Sequence, residues 1–293
     1  MGRVWFAATA GALIVVAGAG TLSCAGSVQG GDTRVTVSDY GGSVFIALGP
    51  QPDVTAEFEE FDTVLAGGAS ASSLLASLND GTRECLAGQS PVQPTADDTP
   101  ITTHTVGAGA ITITGGATPL TLLPEALDAG ASVGSDIHYG PAEATGLAPD
   151  DVVTITATGD SVPAFALSLP LPSAITWTQP PAVDSPWVID RSTDLAVAWN
   201  GGTTGSVTIG IEENVGSNLV DVECTFAASA GGGAFPASLL AYLPPTTPAS
   251  NGTIVAATVA GSVRDSVSLL VGGRWNITAN GQNGTFSTTA TIE

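Results

Sequence analysis

The chain has 293 residues, of which 11% are charged, and its 27 acidic side chains against six basic ones give a formal net charge of −21. This charge excludes nucleic-acid binding, because proteins hold phosphate backbones with Lys and Arg, and it argues against adsorption to anionic lipid. Cations and neutral glycans remain allowed as ligands. The 43% hydrophobic residues can form a buried core, and 37 glycines and 19 prolines predict many turns between short strands.

The chain begins with the pattern of an export signal. Arg3 precedes an uncharged apolar stretch, Val4 to Ala19, and small residues then lead to Cys24. This segment resembles a bacterial lipoprotein signal, in which the cysteine is acylated and becomes the new N-terminus. The usual pattern has Leu three residues before that cysteine, whereas Thr21 stands there in this chain. We expect a signal peptide over residues 1–23 and lipidation at Cys24.

Two other outcomes are open for this segment. Cleavage after Ala19 fits the small-x-small rule and would give a secreted protein. An uncleaved anchor is the third, because no charge occurs between Arg3 and Asp32. We rank it last, since the Gly, Ala, Ser and Thr residues of its second half gain little from hydrocarbon. Residues 24–31 then form a flexible Gly/Ser tether.

The first domain is predicted over residues 32–172. It opens with a hairpin around Gly41-Gly42, and alternating apolar residues mark later strands near Ile111, Val153 and Phe165. Between residues 53 and 100 the alternation fades. We therefore predict a long irregular insertion there, with a helical turn or two within Ser70–Asn79.

The second domain is predicted over residues 173–293, after a proline-rich stretch. Its apolar residues alternate with polar ones in six or seven short runs, as in Val207, Ile209 and Ile211. Glycine-rich turns separate the runs, and Asn283-Gly284 between two alternating stretches predicts a hairpin. We expect an all-β fold of two antiparallel β-sandwich domains.

The strand pattern from Val35 to Glu293 resembles exported bacterial envelope proteins built from immunoglobulin-like or fibronectin-III-like β-sandwiches. The resemblance is to pattern and carries no diagnostic motif. Trp199 and Cys224 are present, but the second half lacks the partner cysteine of true immunoglobulin domains. Proteins of this kind bind, space or decorate, and the resemblance implies such a role.

Three cysteines occur, and acylation of Cys24 would leave Cys85 and Cys224 in a compartment that permits disulfides. A bridge between them is left open. Cys224 shares its predicted strand face with Val222 and Phe226, which favours a buried, unreactive thiol.

Candidate catalytic and metal residues are few. Asp136 and His138 would share one strand face, but a catalytic zinc needs three protein ligands and His104 is distant in sequence. No Gly-x-Ser-x-Gly elbow is present. Acidic pairs could bind calcium, but none lies in an EF-hand pattern; they are Glu57–Asp62, Asp97-Asp98, Asp150-Asp151 and Glu212-Glu213. We predict no cofactor and no metal.

Aromatic residues could stack on sugars. Trp199 and Trp275 lie on apolar strand faces and are expected in the core. Trp187 is the better candidate for exposure, although we expect it to pack at the domain interface. We predict a non-catalytic lipoprotein of the cell envelope, anchored by Cys24 in the outer membrane and acting as a structural or recognition module for a glycan or protein ligand. The alternative is an exported hydrolase acting on glycans or peptides.

Overall fold

Nineteen strands form three β-sheets in the described part of a computed structural model of this protein. The structure describes residues 35–49, 51–65, 73–91, 102–126, 137–179, 187–215, 218–246 and 257–293. Residues 35–39, 61–65, 73, 91 and 102–103 are described by their backbone alone. The strands are β1 (Val35–Ala47), β2 (Asp53–Leu65), β3 (Ser73–Asn79), β4 (Arg83–Pro91), β5 (Thr102–Thr105), β6 (Ile111–Thr114), β7 (Leu120–Leu122), β8 (Glu125–Ala126), β9 (Ile137–Glu143), β10 (Val152–Ala157), β11 (Phe165–Pro170), β12 (Ile175–Gln179), β13 (Trp187–Ile189), β14 (Leu195–Gly201), β15 (Ser206–Val215), β16 (Asn218–Ala227), β17 (Gly232–Phe235), β18 (Ala257–Val271) and β19 (Trp275–Ile292).

Helical structure is minor in these ranges. It consists of a 3₁₀ turn, Ala228–Ala230, and one short helix, α1 (Ala237–Leu240). The prediction of an all-β fold is therefore confirmed. None of the helices described is long and apolar enough to cross a membrane.

One sheet is much larger than the others. Its strands follow the order β3-β4-β16-β15-β18-β19-β1-β2-β9-β8, with β13 also paired to β19 and β5 to β2. The second sheet has the order β11-β10-β6-β7 and the third β12-β14-β17. Neighbouring strands are antiparallel except where β19 pairs in parallel with β1 and with β13.

Two hydrophobic cores lie against the large sheet. The first collects buried side chains from the four-stranded sheet and from β1, β2, β9 and the start of β19, including Tyr139 and Trp275. The second collects side chains from the three-stranded sheet and from β4, β15, β16 and β18, including Trp199 and Phe235. Each smaller sheet thus forms a sandwich with its own part of the shared large sheet.

The chain passes between the two smaller sheets near Ser173, where the sequence analysis places its domain boundary. Strand β11 ends at Pro170 in the four-stranded sheet, and β12 begins at Ile175 in the three-stranded sheet. Strands from both sides of Ser173 also pair with each other, β4 with β16 and β1 with β19. Residues Arg34–Glu293 form one unit by their contacts, whereas the predicted signal (1–23) and tether (24–31) lie outside the described residues.

The structure differs from the irregular or helical chain predicted near 53–100, because β2, β3 and β4 are strands. Val54, Ala56 and Phe58 alternate inward on β2 with Thr55 and Glu57 between them, a period-two pattern that the sequence analysis did not recognise. On β4 the buried residues Cys85 and Ala87 are small, which gives a weak apolar pattern. Strand β3 is at the edge of the sheet, where apolar side chains are less buried.

Two predicted hairpins are wrong. Strand β1 runs without a turn through Gly41-Gly42, because this stretch pairs with β2 on one side and β19 on the other. The ring of Phe58 and a methyl of Ile277 occupy the space where a Gly42 side chain would lie. Asn283-Gly284 lies inside β19, next to a break in its register with β18. The φ of +58° at Gly284 belongs to this irregularity instead of a hairpin turn.

The two cysteines of the folded body form the disulfide that the sequence left open. Cys85 on β4 and Cys224 on β16 face each other in the antiparallel register, with their Cα atoms 4.1 Å apart. Both are fully buried. The buried position predicted for Cys224 is confirmed, but the residue is half of a disulfide and not a free thiol.

Candidate functional site

A shallow trough lies on the outer face of the large sheet, behind the second core. Because side chains alternate along β15, Ile209 and Ile211 point into the core, whereas Gly210 and Glu212 belong to the outer face. The antiparallel register places Asp221 opposite Glu212 and Glu223 opposite Gly210. The hairpin of β15 and β16 therefore collects three carboxylates around a glycine.

The other wall of the trough is formed by β18 and β19. Arg264 donates a hydrogen bond from Nε to Oγ of Ser262 at 2.9 Å, and Gln282 pairs with Arg264 in the sheet register. The trough has a volume of about 230 Å³. Its floor is open at Gly210, where an added Cβ would meet nothing within 4 Å.

Partial burial raises the pKa of three carboxyls on this hairpin, of which Glu212 and Glu223 line the trough and Asp221 lies beside Gly88 of β4. For Glu212 the charge of Asp221 adds to the effect of burial, and for Asp221 burial alone raises the pKa. At Glu223 burial again raises the pKa most, while the Arg264 guanidinium acts in the opposite direction. Glu212 and Glu223 nevertheless remain exposed and Asp221 is half-buried, so the ionised groups keep part of their hydration and can accept hydrogen bonds from hydroxyl or cationic donors.

A second concavity lies at the ends of β7, β8 and β9. Its volume is about 330 Å³, and its walls include Thr121, Leu123, Glu125, His138 and Pro141. Glu125 and His138 are opposite one another in the β8–β9 ladder, with Nε2 of the imidazole 3.8 Å from Oε2 of the carboxylate. This cleft brings together a histidine and a carboxylate that are 13 positions apart in the chain.

The two histidines are placed on different strands of the large sheet. His104, on β5, is opposite Glu60, whereas His138 is opposite Glu125. Asp136, its predicted partner, lies outside the described residues. Within the described ranges, no three His, Cys, Asp or Glu side chains are grouped so that they could hold a metal ion.

The structure places the predicted acidic pairs in different surroundings. Glu212 and Glu213 occupy opposite faces of β15, and Glu213 is buried. In Glu57–Asp62, burial and the neighbouring Glu57 charge raise the pKa of Glu59. Asp97-Asp98 lies outside the described residues.

Asp150 joins the two halves of the chain. Its Oδ1 accepts hydrogen bonds from the hydroxyls of Ser173 at 2.5 Å, Thr203 at 3.2 Å and Thr204 at 3.1 Å. These bonds, the one from Ser173 most of all, hold its pKa below the usual range. The left-handed φ of +68° at Asp150 is unfavourable for an L-residue, and the hydrogen bonds offset that cost. This acidic residue has a structural role.

The four tryptophans that the structure describes pack mainly in or against the two cores. Trp199 and Trp275 are buried, as predicted. Trp187 is only half-buried and packs against the second core, as does Trp177, whose Nε1 donates to the Gly284 carbonyl at 2.7 Å. These residues offer no flat exposed platform of the kind that the sugar-stacking hypothesis requires.

Sequence reasoning missed the composition of both concavities. It grouped acidic residues that are adjacent in the chain, whereas Glu212 meets Asp221 across a hairpin. The alternation of Asp221, Val222 and Glu223 places the two carboxylates on one polar strand face from the sequence alone, but it does not show that Glu212 lies beside them. The contribution of Arg264 could not be foreseen, because it depends on the pairing of β15 with β18.

Comparisons with known proteins identify no relative. No family model matches the chain, nor does any curated protein or solved structure. The fold and the two concavities are therefore the basis for inferring function. The predicted lipidation site, Cys24, lies outside the described residues.

Proposed function

We propose that this protein is a non-catalytic lipoprotein of the cell envelope, and that its folded body is a recognition module. The leader and Cys24 support export and acylation. The Cys85–Cys224 disulfide is consistent with an oxidising compartment. It also uses the other two of the chain's three cysteines, which leaves Cys24 for a lipid.

Palmitate labelling tests the anchor. The wild-type chain should incorporate labelled palmitate and fractionate with the membrane, whereas Cys24→Ser should lose both properties. Equal labelling of the two chains would refute acylation at this residue.

Because the chain contains no lysine, amine labelling gives an independent measurement of N-terminal processing. All six basic residues are arginine, so the α-amino group is the sole primary amine of the processed chain. A chain cut after Ala19 must react with an amine-specific ester and gain one label. A chain that is cut before Cys24 and acylated at the new α-amino group must gain none. Intact mass distinguishes these outcomes.

Recognition is assigned to the trough, and the trough is the observation that carries this proposal. It presents carboxylate, guanidinium, amide and hydroxyl groups on a rigid sheet with an open floor. Such a surface can exchange several hydrogen bonds with a polar, uncharged partner, and glycan hydroxyls fit these donors and acceptors. The negative body disfavours anionic partners.

A substitution that fills the trough with a larger side chain tests this assignment. Gly210→Leu places a side chain into open space on the outer face, so the fold should tolerate it while binding is lost. Gly49→Leu is the matched control, since an added Cβ at this loop glycine also meets nothing. Wild type and Gly49→Leu should bind selected members of a glycan array, and Gly210→Leu should lose at least one of those members. No selective binding by the wild type would leave only a structural role, and cleavage of arrayed glycans would favour the hydrolase.

A further inference from the structure

The cleft beside His138 is separate from the trough and has a different character. It is formed by residues of β7, β8 and β9, whereas the trough is formed by β15, β16, β18 and β19. Its volume of about 330 Å³ is near the lower end of the range for small-molecule sites. It can hold a small ligand or one unit of a larger one.

The distance between the His138 and Glu125 side chains indicates which chemical group fits between them. Nε2 of His138 and Oε2 of Glu125 are 3.8 Å apart, which is too long for a direct hydrogen bond. One oxygen placed about 2.8 Å from each atom would fit between them. A hydroxyl can fill this position because it donates to the carboxylate and accepts from the imidazole N–H.

Leucine and proline side chains also line the cleft, beside a larger share of polar surface. Leu123, which is 63% exposed, and Pro141 form this apolar part of the lining. A ligand that joins hydroxyl groups to a carbon-rich face would satisfy both parts of the cleft. Sugar rings have this combination, whereas a metal ion would find one imidazole and one carboxylate, fewer protein ligands than zinc sites supply.

We propose that the cleft is a second binding site, which takes one ring of a neutral saccharide with a hydroxyl between His138 and Glu125 and a ring face on Leu123. The carboxylate and the net charge of −21 disfavour acidic sugars. This inference is independent of the trough, since the two sites share no residue.

The protein has two histidines, which makes the test direct. In the full-length chain labelled with ¹³C-histidine, the imidazole Cε1–Hε1 groups give two signals, and a His138→Gln variant assigns them. Glucose, mannose and N-acetylglucosamine are titrated separately into the millimolar range. At least one should shift the His138 signal with saturation while the His104 signal stays in place.

Two variants of exposed residues complete the experiment. Glu125→Gln should weaken that binding roughly tenfold, because a hydrogen bond to a charged group is lost. Leu123→Ser should weaken it through loss of the apolar wall, and Gly210→Leu should leave it unchanged. The proposal fails if no sugar shifts His138, if both histidine signals move together, or if the two cleft variants bind as the wild type does. It also fails if sorbitol, which has hydroxyls but no ring, acts equally well.

Discussion

Loss of the Cys85–Cys224 disulfide should remove a large share of the folding stability. The two residues are 139 positions apart, so their bond closes a long loop in the unfolded chain. The chain-entropy relation gives about 5 kcal/mol for a loop of this length, and measured effects of disulfides are typically about 2–4 kcal/mol. Single domains have a total stability of about 5–15 kcal/mol.

The contacts of the β3–β4 hairpin indicate which part of the native state should detach when the disulfide is lost. Cys85 and Ala87 are its fully buried side chains, and only Leu75, Ala76 and Leu78 add partial burial against the second core. The apolar surface that holds the hairpin is therefore small. We expect the hairpin to be the first element to detach once the covalent link is gone.

Urea unfolding measures both effects. The reference is the chain with Cys24→Ser, in which Cys85 and Cys224 are the remaining cysteines, and the test chain adds Cys85→Ala and Cys224→Ala. The free energy of unfolding should fall by at least 2 kcal/mol. A lower denaturant slope would indicate a detached hairpin. A loss below about 1 kcal/mol with an unchanged slope would refute the argument from loop closure.

Other substitutions test local features of the fold. Gly42→Val should destabilise the protein by about 1–3 kcal/mol in thermal unfolding, because its side chain overlaps the first core, whereas Gly210→Val should cost far less. Asp150→Asn should lower stability near pH 7; since the pKa of Asp150 is depressed, the difference from wild type should shrink as the pH falls through the folded-state pKa. Glu223→Gln should raise stability near pH 7, because burial raises the pKa of this carboxyl, and the gain should vanish below about pH 4, where the unfolded chain also binds the proton. The exposed Glu143→Gln is its control, and an equal gain there would contradict the account for Glu223.

Much of the fold could be predicted from alternation. Runs such as Ser206–Ile211 and Asp221–Phe226 show period two without interruption, and both lie inside strands of the structure. The burial of Trp199 and Trp275 follows from the same pattern. These positions were readable because a strand with one face in the core imposes its period on the sequence.

Elsewhere the deciding contacts are distant along the chain. A glycine pair at Gly41-Gly42 is a turn by local rules, but pairing with the distant strands β2 and β19 keeps the chain extended there. Strand β4 has little pattern of its own, and its position follows from the register with β16 that also aligns Cys85 with Cys224. The local sequence does not indicate such pairings between distant strands.

The trough shows the same dependence for function. Alternation alone puts Glu212, Asp221 and Glu223 on the outer face, where solvated carboxylates would cost nothing. Partial burial raises the pKa of each, so the ionised carboxylates cost some stability even though Glu212 and Glu223 remain exposed. Solubility does not require this arrangement, since carboxylates dispersed over the surface would give the same net charge. A cost in stability without a structural return is typical of residues retained for binding, which supports assigning recognition to this face.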